Sequence, residues 1–155
     1  MTFIKRIVAA ATLTAAIGVA LVSGSIAASN TYTLKASLGT KALTSVKDAS
    51  GANGTLTSKL TPAGKKSHFT WTLTVHHLSG PATRASIYFT NGTKSGQLAL
   101  PLCVKCQTPT AHGEYVGAYV ANSTFMRKIL HGGAYVLVST KLNPRGELRG
   151  RISAG

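Results

Sequence analysis

Residues 123–152 read S-T-F-M-R-K-I-L-H-G-G-A-Y-V-L-V-S-T-K-L-N-P-R-G-E-L-R-G-R-I, and no other part of the chain says as much about its fold. Four apolar residues recur there at helical spacing: Phe125, Met126, Ile129 and Leu130. They predict one short helix near residues 123–131, with Ser123 as its N-cap because a serine hydroxyl accepts a free backbone N–H of the first turn. Gly132 and Gly133 should end that helix, since glycine adopts the left-handed cap conformation without a Cβ clash.

A buried strand, a tight turn and a closing strand are predicted after the helix. Residues 135–138 are β-branched and aromatic, too few for a helix, and bounded by glycine and polar residues, which is typical of a strand. Residues 143–146 fit a type I turn, because a proline presets φ at the second position and a glycine takes the last. Glu147 and Arg149 then fall on one face of the last strand, two residues apart.

Upstream of this stretch, short strands separated by turns are predicted from residue 30 onward. Residues 68–75 alternate most clearly, with Phe69, Trp71, Leu73 and Val75 on one face. Trp71, the only tryptophan, is expected to anchor the core. Further strands are predicted at residues 31–38, 55–60, 85–90, 97–102 and 115–120, with turns at 61–64 and 78–81 and an ambiguous segment at 41–50. This pattern predicts an all-β antiparallel sandwich or barrel.

The beginning of the chain has the layout of a secretory signal peptide: two basic residues, an apolar run and a small-residue end, Ser-Ile-Ala. The run at residues 7–22 is shorter than the roughly 20 residues of a spanning helix. We expect residues 1–27 to be removed and residues 28–155 to form one domain that is secreted or at the cell surface. An uncleaved membrane anchor is the alternative.

The composition is strongly basic, with 17 lysine and arginine residues against three acidic ones and a formal net charge of +14. Loss of Lys5 and Arg6 with the leader leaves +12. Such a field attracts polyanions such as cell-wall polymers, anionic lipid headgroups or extracellular DNA. The basic residues are scattered and do not interleave with aromatic ones, so no specific nucleic-acid partner is expected. A solvated basic surface is the simpler interpretation.

Cys103-Val104-Lys105-Cys106 is the sharpest chemical motif. A redox CxxC normally starts a helix, whereas prolines on both sides of this one indicate a loop. A zinc site would need two more ligands. In an exported chain we favour a disulfide between Cys103 and Cys106 that pins the loop, with a thiol–disulfide or metal-handling role as the alternative.

The histidines and carboxylates indicate neither a metal centre nor a catalytic site. The histidines lack the usual spacing of metal ligands; His112 is expected in a loop and His131 at the C-terminus of the helix. Glu147 is expected to pair with Arg149 or with strand-end N–H groups, and Glu114 could pair with a lysine. Catalytic motifs such as GxSxG and HExxH are missing from the sequence. No catalytic, cofactor-binding or metal-binding residue is predicted.

The end of the chain follows the pattern L-x-x-G-x-Y-V-x-V-H-T-x-x-N-P-x-G-E-I-R-G-Q. The matching residues are Leu130, Gly133, Tyr135, Val136, Val138, Thr140, Asn143, Pro144, Gly146, Glu147, Arg149 and Gly150. Over about residues 31–153 the chain resembles the chordin-type (CHRD) domain family, most strongly from Leu130. The resemblance implies a Greek-key fold, immunoglobulin-like or superoxide-dismutase-like, and no known enzyme activity. Animal members occur in secreted signalling antagonists, and bacterial members are mostly exported.

The chain lacks histidine at three positions where family members carry it. Members typically carry an H-I-H in a middle strand and a further histidine in the Y-V-x-V-H-T strand, where this chain has Ser86, Tyr88 and Ser139. A metal site therefore cannot be carried over. We expect an exported, non-enzymatic β-sandwich that acts as a binding or structural module. Its partner would be a protein or an anionic surface polymer; a polyanion binder and a CxxC thiol–disulfide or metal-handling protein are the alternatives.

Overall fold

The computed structural model of the chain describes residues 30–91 and 94–155. The predicted signal peptide lies outside these residues. The described part holds nine strands and two short helices in the order β1 (Tyr32–Gly39), β2 (Asn53–Ala63), β3 (Lys66–His76), β4 (Ala82–Asn91), β5 (Lys94–Val104), β6 (Thr110–Gly117), α1 (Ala118–Ala121), α2 (Ser123–Leu130), β7 (Ala134–Thr140), β8 (Leu148–Arg151) and β9 (Ser153–Ala154). Neither of the two helices in those ranges is long enough to cross a bilayer.

Eight strands form one antiparallel sheet in the order β5-β4-β7-β8-β1-β2-β3-β6, and β9 pairs with β1. The Tyr115 hydroxyl of β6 donates to the carbonyl of Pro101 in β5, so the two ends of the sheet approach each other and nearly close it. β6 returns to pair with β3 and β7 returns to pair with β4, as in a Greek key. The predicted antiparallel sandwich or barrel is therefore confirmed.

The core lies inside the curved sheet, because side chains of alternate residues point inward. β3 alternates along nearly its whole length, and Trp71 is only 4% exposed, which confirms it as a core residue. α2 packs against one end of the core through Phe125 and Ile129. The Phe125 ring meets Phe69 and Phe89 edge-on, with centroids 6.3 and 5.8 Å away. These contacts fix the helix that leads into β7.

The end of the helix is as predicted, and its start is shifted by one residue. Gly132 has a φ of +69°, consistent with the predicted glycine stop. Asn122, not Ser123, is the N-cap, because its backbone is extended and its side chain accepts from the Thr124 N–H at 2.8 Å.

The strand predicted at residues 115–120 is also wrong in its second half. β6 ends at Gly117, and α1 follows because a helical turn lets Val120 reach the core.

The β2–β3 turn and the loop after β1 also differ from prediction. β2 continues through Pro62, and the chain turns at Gly64, whose φ is +61°. The proline is tolerated because β1 pairs with β2 only as far as Leu60. At residue 62 no neighbouring β1 backbone therefore needs an N–H donor, which proline lacks. His112, predicted in a loop, lies in β6 opposite Thr72. The ambiguous residues 41–50 form neither strand nor helix.

Candidate functional site

A cleft lies on the outer face of β4, β7 and β8. Alternate residues of β4 and β7 belong to the core, at positions 85, 87 and 89 and at positions 134, 136 and 138. The residues between them lie on the opposite, outer face of the sheet. With the β7–β8 turn and the loop after β1, they form a depression of about 530 Å³. We call it the arginine cleft; its main lining residues are Arg84, Tyr88, Tyr135, Ser139, Arg145 and Arg149. Two further depressions adjoin it, and Arg149 lines all three.

The charge around the cleft is of one sign. The side chains that line the three depressions include six basic residues: Lys47, Arg84, Lys141, Arg145, Arg149 and Arg151. None of the three described carboxylates lines them: Glu147 is buried, Asp48 is exposed beside Lys47 in the loop, and Glu114 lies on β6. Glu114 pairs with His68 at 3.0 Å rather than with the predicted lysine. The three depressions together are therefore lined by six basic residues and by none of the described carboxylates.

A stacked column crosses the floor of the cleft. Tyr88 of β4 lies opposite Tyr135 of β7, and their rings stack with centroids 5.6 Å apart and planes 15° apart. The guanidinium carbon of Arg149 lies 3.8 Å from the centroid of the Tyr135 ring. An aromatic pair and a cation–π contact are each worth about 1 kcal/mol, so the column fixes three side chains on three adjacent strands.

The three positions where the family resemblance places histidine lie on the neighbouring strands β4 and β7. Ser86 and Tyr88 lie on β4 and Ser139 on β7, and Tyr88 and Ser139 line the cleft itself. The Ser86 hydroxyl is buried and finds no hydrogen-bond partner within the described ranges. Across residues 30–91 and 94–155, no three histidine, cysteine or acidic side chains come together as a metal site.

At the end of the β7–β8 turn, the carboxylate of Glu147 is buried and hydrogen-bonded. It accepts from the Ser79 N–H at 2.6 Å, from the Ser79 hydroxyl, from the Thr140 hydroxyl at 2.5 Å and from the Asn143 amide at 2.8 Å. We call these four residues the Glu147 network. The predicted pair with Arg149 is wrong, because Glu147 precedes β8 and points inward while Arg149 lies on Tyr135. The alternative, an N–H at a strand end, is not found either, because the N–H that binds the carboxylate belongs to Ser79 in the loop between β3 and β4.

The network also fastens the loop that lines the cleft. The Asn143 side chain donates to the carbonyl of Lys47 at 2.9 Å and accepts from the Lys47 N–H at 2.8 Å. The predicted turn is confirmed, since the Gly146 N–H donates to the Asn143 carbonyl at 3.1 Å. Asn143 and Glu147 of the family pattern thus hold the β7–β8 turn, the loop after β1 and the loop before β4 together.

The pKa of Glu147 lies below its ordinary value of 4.5. Burial has the largest effect and raises the pKa, because water no longer solvates the charge. The hydrogen bonds from Ser79, Thr140 and Asn143 together outweigh burial and lower it. Glu147 is therefore an ionised carboxylate stabilised by neutral donors.

Acid should destabilise the fold through Glu147. Because its pKa is lower in the folded than in the unfolded state, the stabilisation is complete above about pH 4.5 and is lost as the pH falls through the folded-state pKa. The double variant Asp48→Asn/Glu114→Gln leaves Glu147 as the only side-chain carboxylate, so urea unfolding at decreasing pH isolates its titration. Adding Glu147→Gln should flatten the dependence below that pH. A profile that keeps its slope would place the acid sensitivity elsewhere.

The two cysteines lie at the end of β5. Their sulfurs are joined, with Cα atoms 5.3 Å apart. The Lys105 and Cys106 N–H groups donate to the carbonyls of Thr83 and Ala82, which ties this segment to the start of β4. Neither cysteine lines the arginine cleft or begins a helix. The disulfide and these two hydrogen bonds therefore hold the start of the β5–β6 loop against the start of β4.

The sequence alone did not identify Arg84, Tyr88 and Arg145 as members of one site. They are far apart along the chain, and each is unremarkable by itself. The available signal was their alternation with buried residues, which places Arg84 and Tyr88 on the outer face of β4.

Comparison with known proteins adds one match. A family model described as the CHRD domain matches residues 34–152. The searches of curated proteins and of solved structures found no match.

Proposed function

This chain belongs to the CHRD-domain family, and from that premise we propose that it is an exported, non-catalytic binding module whose arginine cleft holds an anionic polymer. The observation that carries the proposal is that six basic residues, Arg149 among them, line the cleft and the two depressions that adjoin it, with no carboxylate among the described lining residues. Like charges repel one another, so the site gains stabilisation when an anion enters it.

The shape of the site favours an extended ligand. The three depressions adjoin at Arg149, and two of them have volumes of about 530 and 770 Å³. Basic residues line each depression, so a polymer with repeated anionic groups could contact several basic residues at once. A single small ion would use only part of this surface.

Export is supported by the signal-peptide pattern at residues 1–27. An exported protein of this charge meets cell-wall and surface polymers, many of which are anionic. N-terminal sequencing of the protein recovered outside the cell should begin at Ala28. A protein that stays in the cytoplasm would contradict this part of the proposal.

Neutralising the cleft should weaken polymer binding more than an equal loss of charge elsewhere. The variant Arg84→Gln/Arg145→Gln/Arg149→Gln should bind dextran sulfate at least about tenfold more weakly than the wild type, because ordered charge-assisted contacts are lost. The matched control Lys59→Gln/Lys65→Gln/Lys66→Gln removes the same charge from the exposed β2–β3 hairpin, outside the cleft. It should weaken binding about threefold or less, through the general field.

Isothermal titration calorimetry at several salt concentrations provides the affinities, with uncharged dextran as the negative control. The affinity should fall steeply with added salt, and the slope should be shallower for the cleft variant because fewer counterions are released. Equal losses in the two triple variants would show a diffuse surface effect and exclude the cleft as the binding site.

A further inference from the structure

Arg149 differs from the other basic residues of the cleft because its side chain is already held in place. We propose that its guanidinium is a preformed clamp for one oxyanion group of the ligand, a carboxylate, sulfate or phosphate, and that Tyr135 is its positioning residue. This inference rests on the proposed polymer binding and names the group at which recognition is centred. The planar guanidinium can bind such a group through two parallel N–H···O bonds.

The clamp is ordered by stacking. The guanidinium carbon lies 3.8 Å from the Tyr135 ring centroid, and the side chain is only partly exposed. A flexible arginine loses rotamer entropy when it binds, whereas a stacked one has lost much of it beforehand. The column therefore lowers the cost of binding at this one position.

Tyr135 is fixed from its other side as well. Its ring stacks on Tyr88, and its hydroxyl accepts from the Gly96 N–H at 3.2 Å. A Cβ atom on Gly96 would lie only 2.8 Å from the Tyr135 hydroxyl oxygen, so the strands approach closely here. Three strands thus determine where the guanidinium of Arg149 lies.

The donors of the clamp are free to meet a ligand. Within the described ranges, the Arg149 guanidinium makes no hydrogen bond or ion pair with another residue, and it lines the cleft. Arg151, the next basic residue on β8, instead donates to the carbonyl of Gly132 at 2.7 Å. Arg84, Arg145 and Ser139 line the same depression, so an oxyanion on Arg149 would have two more cations and a hydroxyl around it.

The test keeps the charge and changes the geometry. Arg149→Lys should weaken binding roughly tenfold, because an ammonium group is a point charge without the planar pair of donors. Arg127→Lys, an exposed arginine on α2 outside the cleft, is the matched control and should bind as the wild type does. Affinities are measured for dextran sulfate, polyphosphate and polygalacturonate, which present sulfate, phosphate and carboxylate groups.

Tyr135 is tested by a double-mutant cycle. Tyr135→Phe keeps the ring and should bind within about threefold of the wild type, whereas Tyr135→Leu should lose about as much affinity as Arg149→Lys. If the ring acts through Arg149, the combined variant Tyr135→Leu/Arg149→Lys should bind no more weakly than either single variant. Additive losses would overturn the positioning role. Thermal unfolding of every variant verifies that it is folded.

The outcomes separate the clamp from the broader proposal. Wild-type protein that binds none of the three polymers would overturn the polymer-binding function and the clamp with it. If Arg149→Lys binds the polymers as tightly as the wild type does, the clamp is overturned, whereas polymer binding itself still stands. A loss confined to one polymer supports the clamp and identifies the oxyanion group it takes.

Discussion

Replacing Glu147 with alanine should lower the free energy of unfolding by about 4 kcal/mol, one of the largest losses available to a polar residue of this domain. The carboxylate accepts from Ser79, Thr140 and Asn143, and alanine would remove the acceptor that these donors share, leaving the Ser79 N–H without its partner. Each unsatisfied donor costs about 1–3 kcal/mol, and entry of water into the gap recovers part of the loss.

Urea unfolding at neutral pH measures the effect, and Glu114→Ala is the matched control. Glu114 is exposed, so removing it should change the free energy of unfolding by less than about 0.5 kcal/mol. Glu147→Gln should be intermediate, since it keeps one acceptor oxygen but brings an amide against the donors. A loss below about 1 kcal/mol for Glu147→Ala would show that the network does not hold the three loops together.

The local elements of the fold could be predicted because neighbouring residues determine them. Apolar and polar residues alternate in residues 68–75, which predicts a strand with one buried face. In β3 the apolar residues of this segment are indeed the buried ones. The proline and glycine of residues 143–146 give a turn, and the turn is closed by the Gly146 N–H. The predicted helix, the buried strand after it and the sandwich or barrel class follow from the same short-range signals.

The errors arose where tertiary contacts outweighed local preference. Residues 115–120 are predicted as one strand, yet its second half belongs to α1, from which Val120 reaches the core. Asn122 and Ser123 are both good N-cap residues, and only the backbone conformation of the chain selects Asn122. Sequence spacing suggested Arg149 as the partner of Glu147, whereas the first donor to the carboxylate, Ser79, lies 68 residues away.

The arginine cleft could not be predicted, because it is assembled from β4, β7, β8 and the loop after β1. Its basic residues are dispersed in the sequence and become a cluster only once the sheet curves and the loop is fastened. The family pattern contributes to both parts of this site: Asn143 and Glu147 hold the loop, while Tyr135 and Arg149 lie in the cleft. A pattern that looks like one turn and one strand therefore serves folding and the proposed binding together.

The seam between β8 and β1 depends on the last glycine of that pattern. The sheet path crosses from one half of the barrel to the other at this seam, where Gly39 pairs with Arg149. A Cβ atom on Gly150 would lie 2.2 Å from the Ser37 carbonyl oxygen and 3.2 Å from the Leu38 Cα. Backbone atoms cannot rotate away as a side chain can, so any side chain at residue 150 must push the two strands apart.

Gly150→Ala should therefore lower the free energy of unfolding by about 3 kcal/mol, at the upper end of the cost of overpacking. Gly39→Ala is the matched control on the facing strand, because a Cβ atom there meets nothing within 4 Å. Urea unfolding of the two variants measures how much the same added methyl group lowers the free energy of unfolding on each side of the seam. Similar stabilities would show that β8 can move away from β1 at little cost. A selective loss for Gly150→Ala would show that close backbone approach stabilises the seam between β8 and β1. The shifted β8 should also carry Arg149 off the Tyr135 ring and weaken polymer binding.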